Sequence, residues 1–170
     1  MNTRHAKLSN HFGEMTIVAT DEAITGLYFP GHWTRPDRSG FGSEIAVADD
    51  PLFSLADAEL KSYAAGELSE FTAPVKTEGD EFQERIWRLL AEIPYGETTT
   101  YGALAAEVGV PAQARRVGAA VGHNPISILI PCHRVIAADG SLTGYAGGLE
   151  LKRQLLTMEA PSGAEAGKLF

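Results

Sequence analysis

Cysteine occurs once in the 170 residues, at position 132. A single thiol forms neither an internal disulfide nor a Cys-rich zinc site, which removes the disulfide-stapled secreted domains and the zinc-ribbon modules. No run approaches the roughly 18 uninterrupted apolar residues of a membrane-spanning helix. The opening MNTRHAKLSN carries basic residues without an apolar stretch, unlike a secretory signal. Internal repeats and low-complexity tracts are also missing. The expectation is a soluble, cytoplasmic protein of one domain or two small ones.

What is present is ordinary for a globular chain. Hydrophobic residues make up 44% and charged residues 21%, too much apolar material for a disordered protein. The formal net charge is −8, and an acidic total taken alone leans away from nucleic acid as a partner. Its distribution is uneven. Residues 1–80 hold 6 basic and 13 acidic side chains, whereas residues 81–170 hold 8 and 9. Between Val108 and Ala138 there is no Asp or Glu at all, but Arg115, Arg116, Arg134, His123 and His133 are there. The partner therefore depends on where the charge sits, not on its sum.

The pattern predicts an α+β protein. Residues 8–29 read as a hairpin or the start of a meander: Met15, Ile17 and Ala19 alternate with polar neighbours, Asp21-Glu22 turns, and Ile24, Leu27 and Phe29 follow. Residues 30–48 are rich in Gly, Pro, Arg and Asp and read as a loop. Asp50-Pro51 starts a helix as N-cap and first-turn proline, with Leu52, Leu55, Ala56, Leu60, Tyr63 and Ala64 as its apolar stripe and Gly66 as its end. Residues 70–79 read as a connection between domains. Asp80 and Gln83 form a capping-box pattern ahead of a helix striped by Phe82, Ile86, Leu89, Leu90 and Ile93, which Pro94-Tyr95-Gly96 ends. A short helix over about Thr99–Val108, a Gly109-Val110-Pro111 turn and a helix over about Pro111–Val121 have the outline of a helix-turn-helix. Ile126–Ile130 reads as a buried strand or extended segment, and a last helix covers about Leu149–Met158. The expected organisation is a small supporting β-sheet and helix domain over residues 1–75, a mainly helical domain over 80–160, and a disordered tail over 161–170.

Most lone cysteines are small buried hydrophobes, but Cys132 has unusual neighbours. Pro131 fixes the backbone before it, and His133 and Arg134 follow. Adjacent bases and positive charges favour the thiolate, the reactive form. Successive residues of an extended segment point to opposite sides, so His133 needs a turn or a bridging water to reach the sulfur. A third group should orient the imidazole, and Glu159, Glu97 and Asp139 are all candidates. Arg134 reads as structural, capping carbonyls or pairing with an acid. Trp87, on an apolar helix face, reads as core.

The string Ile130-Pro131-Cys132-His133-Arg134-Val135 resembles the active-site signature of the O6-alkylguanine-DNA alkyltransferases, the methylated-DNA–protein-cysteine methyltransferases. The likeness extends, in order and at family spacing, from about residue 80 to 159. It takes in Phe82-Gln83, Ile86-Trp87, Ile93-Pro94-Tyr95-Gly96-Glu97-Thr98, Tyr101-Gly102, Ala114-Arg115, Val117-Gly118, Asn124-Pro125, Gly144-Tyr145, Gly147-Gly148-Leu149, Lys152 and Glu159. Residues 1–75 resemble the family's variable N-terminal domain only in size and in a strand-then-helix outline.

The resemblance implies a mechanism and its residues. Such proteins move an alkyl group from guanine O6 in duplex DNA, and in some cases from O4-alkylthymine, onto their own cysteine after flipping the nucleotide out of the stack. Cys132 would be the nucleophile, His133 would draw its proton through a water, and Glu159 would hold His133. Tyr101 would donate to the guanine ring, and Asn124 would brace the cysteine segment. The carbonyls of Cys132 and Val135 would accept from the exocyclic amine, while Tyr145, Ala146 and Gly147 would line the substrate pocket. Position 146, often a hydroxyl residue in the family, is alanine here, so only its backbone N–H can donate. The helix-turn-helix would enter the minor groove of double-stranded DNA without sequence specificity, through Thr98, Tyr101, Arg115, Arg116, Gly118, Ala119 and Gly122. The small residues Gly118, Ala119, Ala120 and Gly122 suit a groove about 6 Å wide. Arg115 would fill the gap left by the flipped base, and Arg116 would contact phosphate or solvent. The thioether product is irreversible, so the protein would act once, as a monomer on DNA, cooperatively or not, with no cofactor. Some relatives hold structural zinc in the N-terminal domain; here only His5, His11 and His32 remain there, and no metal is expected.

Three other functions compete. A sensor of alkylated guanine would have replaced the cysteine. A thiol hydrolase would turn over repeatedly on a small ester. A plain helix-turn-helix regulator would bind a defined sequence.

Overall fold

Strand alternation organises the beginning of the chain. The structure, a computed structural model, describes residues 2–32 and 36–160. Strands β1 (Thr3–Asn10), β2 (Gly13–Thr20) and β3 (Ala23–Tyr28) form an antiparallel meander. A short strand β4 (Ser43–Glu44) adds to β1 in parallel, giving the order β3-β2-β1-β4. Ala6, Leu8, Met15, Ile17, Ala19, Ile24 and Leu27 are buried almost completely. The meander starts five residues earlier than the pattern suggested, because one inward position of β1 is Arg4. Its guanidinium pairs with Asp50 and also donates to the carbonyls of Asn2 and Asp21.

The expected loop over residues 30–48 is broken by two single 3-10 turns, Arg38–Gly40 and Val47–Asp49, and by β4. Trp33, Thr34 and Arg35 lie outside the described residues, as does the expected tail over 161–170.

Helix α1 (Pro51–Ala64) starts as the Asp50-Pro51 pair dictates: the Asp50 carboxylate accepts from the amides of Leu52 and Phe53. Its Arg4 hydrogen bond, helped by those amides, holds the Asp50 carboxyl below its ordinary range. The buried face is rotated from the expected stripe. Phe53, Ala56, Glu59, Leu60 and Tyr63 point inward, whereas Leu55 is 39% exposed. Glu59 tolerates burial because its carboxylate accepts from the amides of Thr72 and Ala73 and from the Thr72 hydroxyl. The stretch after α1 is thereby tied down, and Ile24 pairs with Val75 in a parallel bridge.

His32 is 3% exposed. Its Nδ1 accepts from the Phe29 amide, so the proton of the neutral ring sits on Nε2, and burial pushes the pKa from 6.5 down to about 4. Protonation would load Nδ1 with a hydrogen facing another N–H. Between those two values the unfolded chain takes up a proton that the folded chain refuses, so stability is lost as pH falls from 6.5 towards 4. The full effect is about 3 kcal/mol. Urea unfolding of the wild type and His32→Leu across that range should show the steeper acid loss in the wild type. Equal slopes would refute it.

Contact density divides the described chain into two units. One runs to Thr77 and also takes in Pro125–Leu129; the other runs from Glu78 to Asn124 and resumes at Ile130. In the second unit, helix α2 (Glu81–Ala91) carries the Asp80/Gln83 capping box in both directions and buries Ile86, Trp87 and Leu90. Strand β5 (Thr99–Thr100) precedes helix α3 (Tyr101–Glu107), whose Leu104 and Ala105 are buried. Helix α4 (Ala114–Gly122) starts three residues later than Pro111 suggested: the preceding residues turn instead, and Gln113 caps without a side-chain bond. Trp87 is core as expected, and its indole donates to the Ala120 carbonyl at 2.9 Å. Strand β6 (Val135–Ile136) pairs in parallel with β5, and helix α5 (Leu149–Glu159) closes the unit. The α+β class is as the sequence predicts. Ile126–Ile130 is extended only in part, since Ile128 takes φ 71° and breaks the run with a turn.

Candidate active site

The cysteine lies on a one-turn 3-10 helix, Cys132–Arg134, not on an extended segment. The turn follows from Pro131, whose carbonyl accepts from the Arg134 amide, while the Cys132 amide donates to Ile130. Directly after the turn, Val135 pairs with Thr99 and Ile136 with Thr100. This two-residue ladder carries Tyr101, the first residue of α3, alongside the cysteine segment.

All three residues of the turn are buried, His133 completely. Glu159, the last residue of α5, accepts from His133 Nε2 at 2.8 Å and from Arg134 Nε and Nη2 at 2.8 and 2.9 Å. Of the three acids the sequence left open, Glu159 is therefore the one that holds His133. Exposed Asp139 instead caps Ser141. Arg134 also donates to the Ile93 carbonyl, fulfilling both structural uses expected of it. Because Nε2 faces a carboxylate, it carries the ring proton, and Nδ1 is the buried basic nitrogen, with no hydrogen-bond partner among the described residues. Burial lowers the His133 pKa against the raising effect of Glu159, so the imidazole is neutral.

The thiol is also neutral at rest. Burial raises its pKa, opposed by a hydrogen bond from Asn124 and by the charge of Lys152. Asn124, 2% exposed, also donates to the Ile130 carbonyl at 2.8 Å, gripping the segment just before the nucleophile. Lys152 is buried on α5, its ammonium donating to the Thr143 carbonyl at 2.8 Å, with its pKa pushed down to about 8 by burial. The Thr143 hydroxyl donates to the phenol of Tyr101 at 2.8 Å. Burial raises the Tyr101 pKa, and a thiolate at Cys132 would raise it further, so the phenol keeps its proton. Tyr145 is buried with its ring edge-on to His133, centroids 6.4 Å apart; Ala146 and Gly147 are half-buried beside it.

Lys152 and Thr143 were not among the expected site residues. For Lys152 a signal existed. Lys152, Leu155, Leu156 and Glu159 recur at helical spacing on the buried face of α5, so a cation shares the apolar stripe with the site's carboxylate. Nothing local marks Thr143.

A second group lies on the helix-turn-helix. Arg115, Gly118, Ala119 and Gly122 recur at i, i+3, i+4 and i+7 on the face of α4 opposite buried Val117, Ala120 and Val121. Arg115 and Ala119 are exposed, Gly118 and Gly122 half-buried, and Thr98 is exposed ahead of β5. Ala120 points inward and does not belong with the other small residues. Arg116 stacks over Phe82, 3.9 Å from guanidinium carbon to ring centroid, and donates to Gln113. Among the described residues, no three His, Cys, Asp or Glu side chains come together to hold a metal ion.

The family model described as 6-O-methylguanine DNA methyltransferase, DNA binding domain, matches residues 81–161. A methylated-DNA–protein-cysteine methyltransferase of Mycolicibacterium paratuberculosis is 46% identical over 147 residues, covering 86% of both chains. The chain belongs to this methyltransferase family. An inducible methylated-DNA–protein-cysteine methyltransferase of Bacillus subtilis is 41% identical over 84% of this chain and 83% of its own. The crystal structure of Mycobacterium tuberculosis OGT in complex with DNA superposes with a TM-score of 0.84 at 41% identity, covering 98% of this chain and 99% of that one. The methyltransferase likeness thus includes the N-terminal sheet and α1, well beyond the segment in which the family's motifs stand.

Proposed function

We propose that this methyltransferase repairs DNA by direct reversal, taking the alkyl group of O6-alkylguanine onto Cys132 once and irreversibly. The observation that carries the reading is the Glu159–His133 pair beside a buried thiol. Glu159 fixes the tautomer so that Nδ1 is the base, and burial keeps that base neutral at physiological pH. His133 draws the thiol proton through a water as Sγ attacks the alkyl carbon. Tyr101 supplies the proton that makes guanine a competent leaving group. Asn124 holds the cysteine segment, the Cys132 and Val135 carbonyls read the exocyclic amine, and Tyr145, Ala146 and Gly147 line the pocket. No cofactor or metal takes part.

The DNA partner is double-stranded, bound by the monomer through its minor groove without sequence specificity. The apposition of Arg115, Gly118, Ala119 and Gly122 on one face of α4 supports this mode. Arg115 fills the gap left by the flipped base, Thr98 meets the backbone, and Arg116 reaches phosphate across Phe82. The N-terminal unit supports the transfer unit, and O4-alkylthymine is a secondary substrate of the same displacement. No helix among the described residues is long and apolar enough to cross a membrane; a cytoplasmic repair protein is the corresponding reading.

The decisive assay incubates the protein with a duplex carrying O6-methylguanine and measures intact-protein mass. One methyl group on Cys132, stoichiometric with lesion loss, is expected. An unmodified protein with the lesion intact would sink the reading, and multiple turnover on a small ester would favour a thiol hydrolase.

Gly118 separates groove fit from folding. Among the described residues, a methyl added there meets only the Tyr101 ring, at 3.8 and 3.9 Å, ordinary contact. Gly118→Ala should therefore keep wild-type stability yet weaken duplex binding about tenfold, through crowding in a narrow groove. Unchanged affinity in a fluorescence anisotropy titration would remove α4 from the minor groove.

A further inference from the structure

We propose that Thr143, anchored by Lys152, is a positioning residue for the proton donor Tyr101. This rests on the alkyl-transfer reading above and extends it to a residue outside the expected site.

A phenol has one hydrogen and can also accept. If the Tyr101 hydroxyl spent its hydrogen on a neighbour, none would be aimed at the substrate. In the structure the neighbour donates instead: Thr143 Oγ1 gives its hydrogen to the phenol oxygen at 2.8 Å. The bond occupies one lone pair, restricts rotation of the O–H about the ring, and leaves the phenolic hydrogen for another acceptor. The same bond stabilises negative charge on the phenol oxygen, where charge develops if the proton moves to the guanine ring.

An exposed threonine hydroxyl would ordinarily be a poor guide. Thr143 is exposed, but its backbone is held from inside, its carbonyl accepting from an ammonium that is 1% exposed. Lys152 thus does two things from one position. It places positive charge near the Cys132 sulfur, and it fixes the backbone from which the Thr143 hydroxyl reaches across 42 positions of sequence to Tyr101. Nucleophile and leaving-group donor are tuned through one buried cation.

Sγ forms a bond to the alkyl carbon as the carbon–O6 bond breaks. That bonding pair passes into the purine, which takes the phenol proton, and the proton released from sulfur to His133 restores the phenol through solvent. Thiol and O-alkylguanine become thioether and guanine, with nothing oxidised or reduced.

The test compares Thr143→Val, which keeps the branched shape, with Thr143→Ser, which keeps the hydroxyl. Single-turnover transfer from O6-methylguanine in duplex DNA should slow roughly tenfold in Thr143→Val and stay near wild type in Thr143→Ser. Methylation of Cys132 by iodomethane, whose iodide leaves without a proton, should proceed at the wild-type rate in both. In a Tyr101→Phe background, Thr143→Val should cost nothing more. Transfer by Thr143→Val within twofold of wild type, an equal loss in Thr143→Ser, or an equal slowing with iodomethane would each overturn the inference while leaving the alkyl-transfer reading intact. Failure of the wild type to take up a methyl group from the lesion would instead bring down that reading, and this inference with it.

Discussion

Cys132→Ala is expected to abolish alkyl transfer entirely while leaving binding to lesion-containing duplex within about twofold of wild type. The loss is complete because 132 is the only cysteine in the chain and no other nucleophile can take its place. Binding should survive because the α4 residues proposed to meet DNA are held by Val117, Ala120 and Val121 and by the Trp87 bond, none of which involves the thiol. Truncation removes one small, buried atom and costs about 1 kcal/mol of stability, too little to unfold a domain. Cys132→Ser sharpens the point. Its hydroxyl keeps the space and the hydrogen-bonding capacity but holds its proton far more tightly than a thiol, and a neutral imidazole with a lowered pKa is too weak a base to remove it. Serine should therefore be as inert as alanine in the mass assay. Methyl uptake by either variant would move the chemistry to another residue. Loss of duplex affinity in both would mean that the thiol segment, not α4, carries the binding.

The parts of this site that were legible in sequence are those whose signals are local. The Asp80/Gln83 capping box and the Asp50-Pro51 start of α1 are written within three or four residues, and each stands where expected, whereas α2 closes at Ala91, before Ile93 and the Pro94–Gly96 stop. The parts that were hidden depend on partners far along the chain. Arg4 occupies an inward strand position because Asp50 meets it, and Glu59 an inward helix position because the amides of residues 72 and 73 satisfy it. Without those partners neither burial is affordable in a low dielectric, so local polarity pointed outward in both cases. The β5–β6 ladder is two residues long and has no period to detect, yet it brings Tyr101 to the cysteine turn. Glu159 could be named as a partner of His133 only by family resemblance; alone, three acids competed. The expected start of α4 failed for the opposite reason, a local signal that misled. Pro111 looks like a first-turn proline, but the chain spends residues 111–113 on a turn first.

Glu159→Gln should be the most damaging substitution outside the nucleophile, because it fails in two separable ways. The first is stability. Glu159 ends α5, where a negative charge opposes the helix dipole, and it is tolerated there because Arg134 and His133 both donate to it. Glutamine offers one acceptor oxygen and an amide that can only donate, so it cannot receive three N–H groups from two residues. Arg134, 6% exposed, then keeps a buried charge with no carboxylate to meet it, beside the Ile93 carbonyl and the Tyr95 ring. Breaking a buried pair from one side costs about 3–5 kcal/mol, readable as a lower urea midpoint for the second unit. The second is rate. Without a carboxylate at Nε2 the ring proton is no longer pinned there, since glutamine can present its NH2 as readily as its oxygen, and whenever the proton moves to Nδ1 the base is lost. Removing the orienting acid from comparable nucleophile–base–acid sets costs up to about 10⁴-fold, and a drop of about 10²–10⁴ is expected here in single-turnover transfer at a temperature where near-ultraviolet dichroism shows the variant folded. Iodomethane should also alkylate its thiol more slowly, since the defect lies in deprotonation, in contrast to Thr143→Val. A variant that is less stable yet transfers within twofold of wild type would reduce Glu159 to a structural clamp for Arg134, and the base at Cys132 would have to be sought elsewhere.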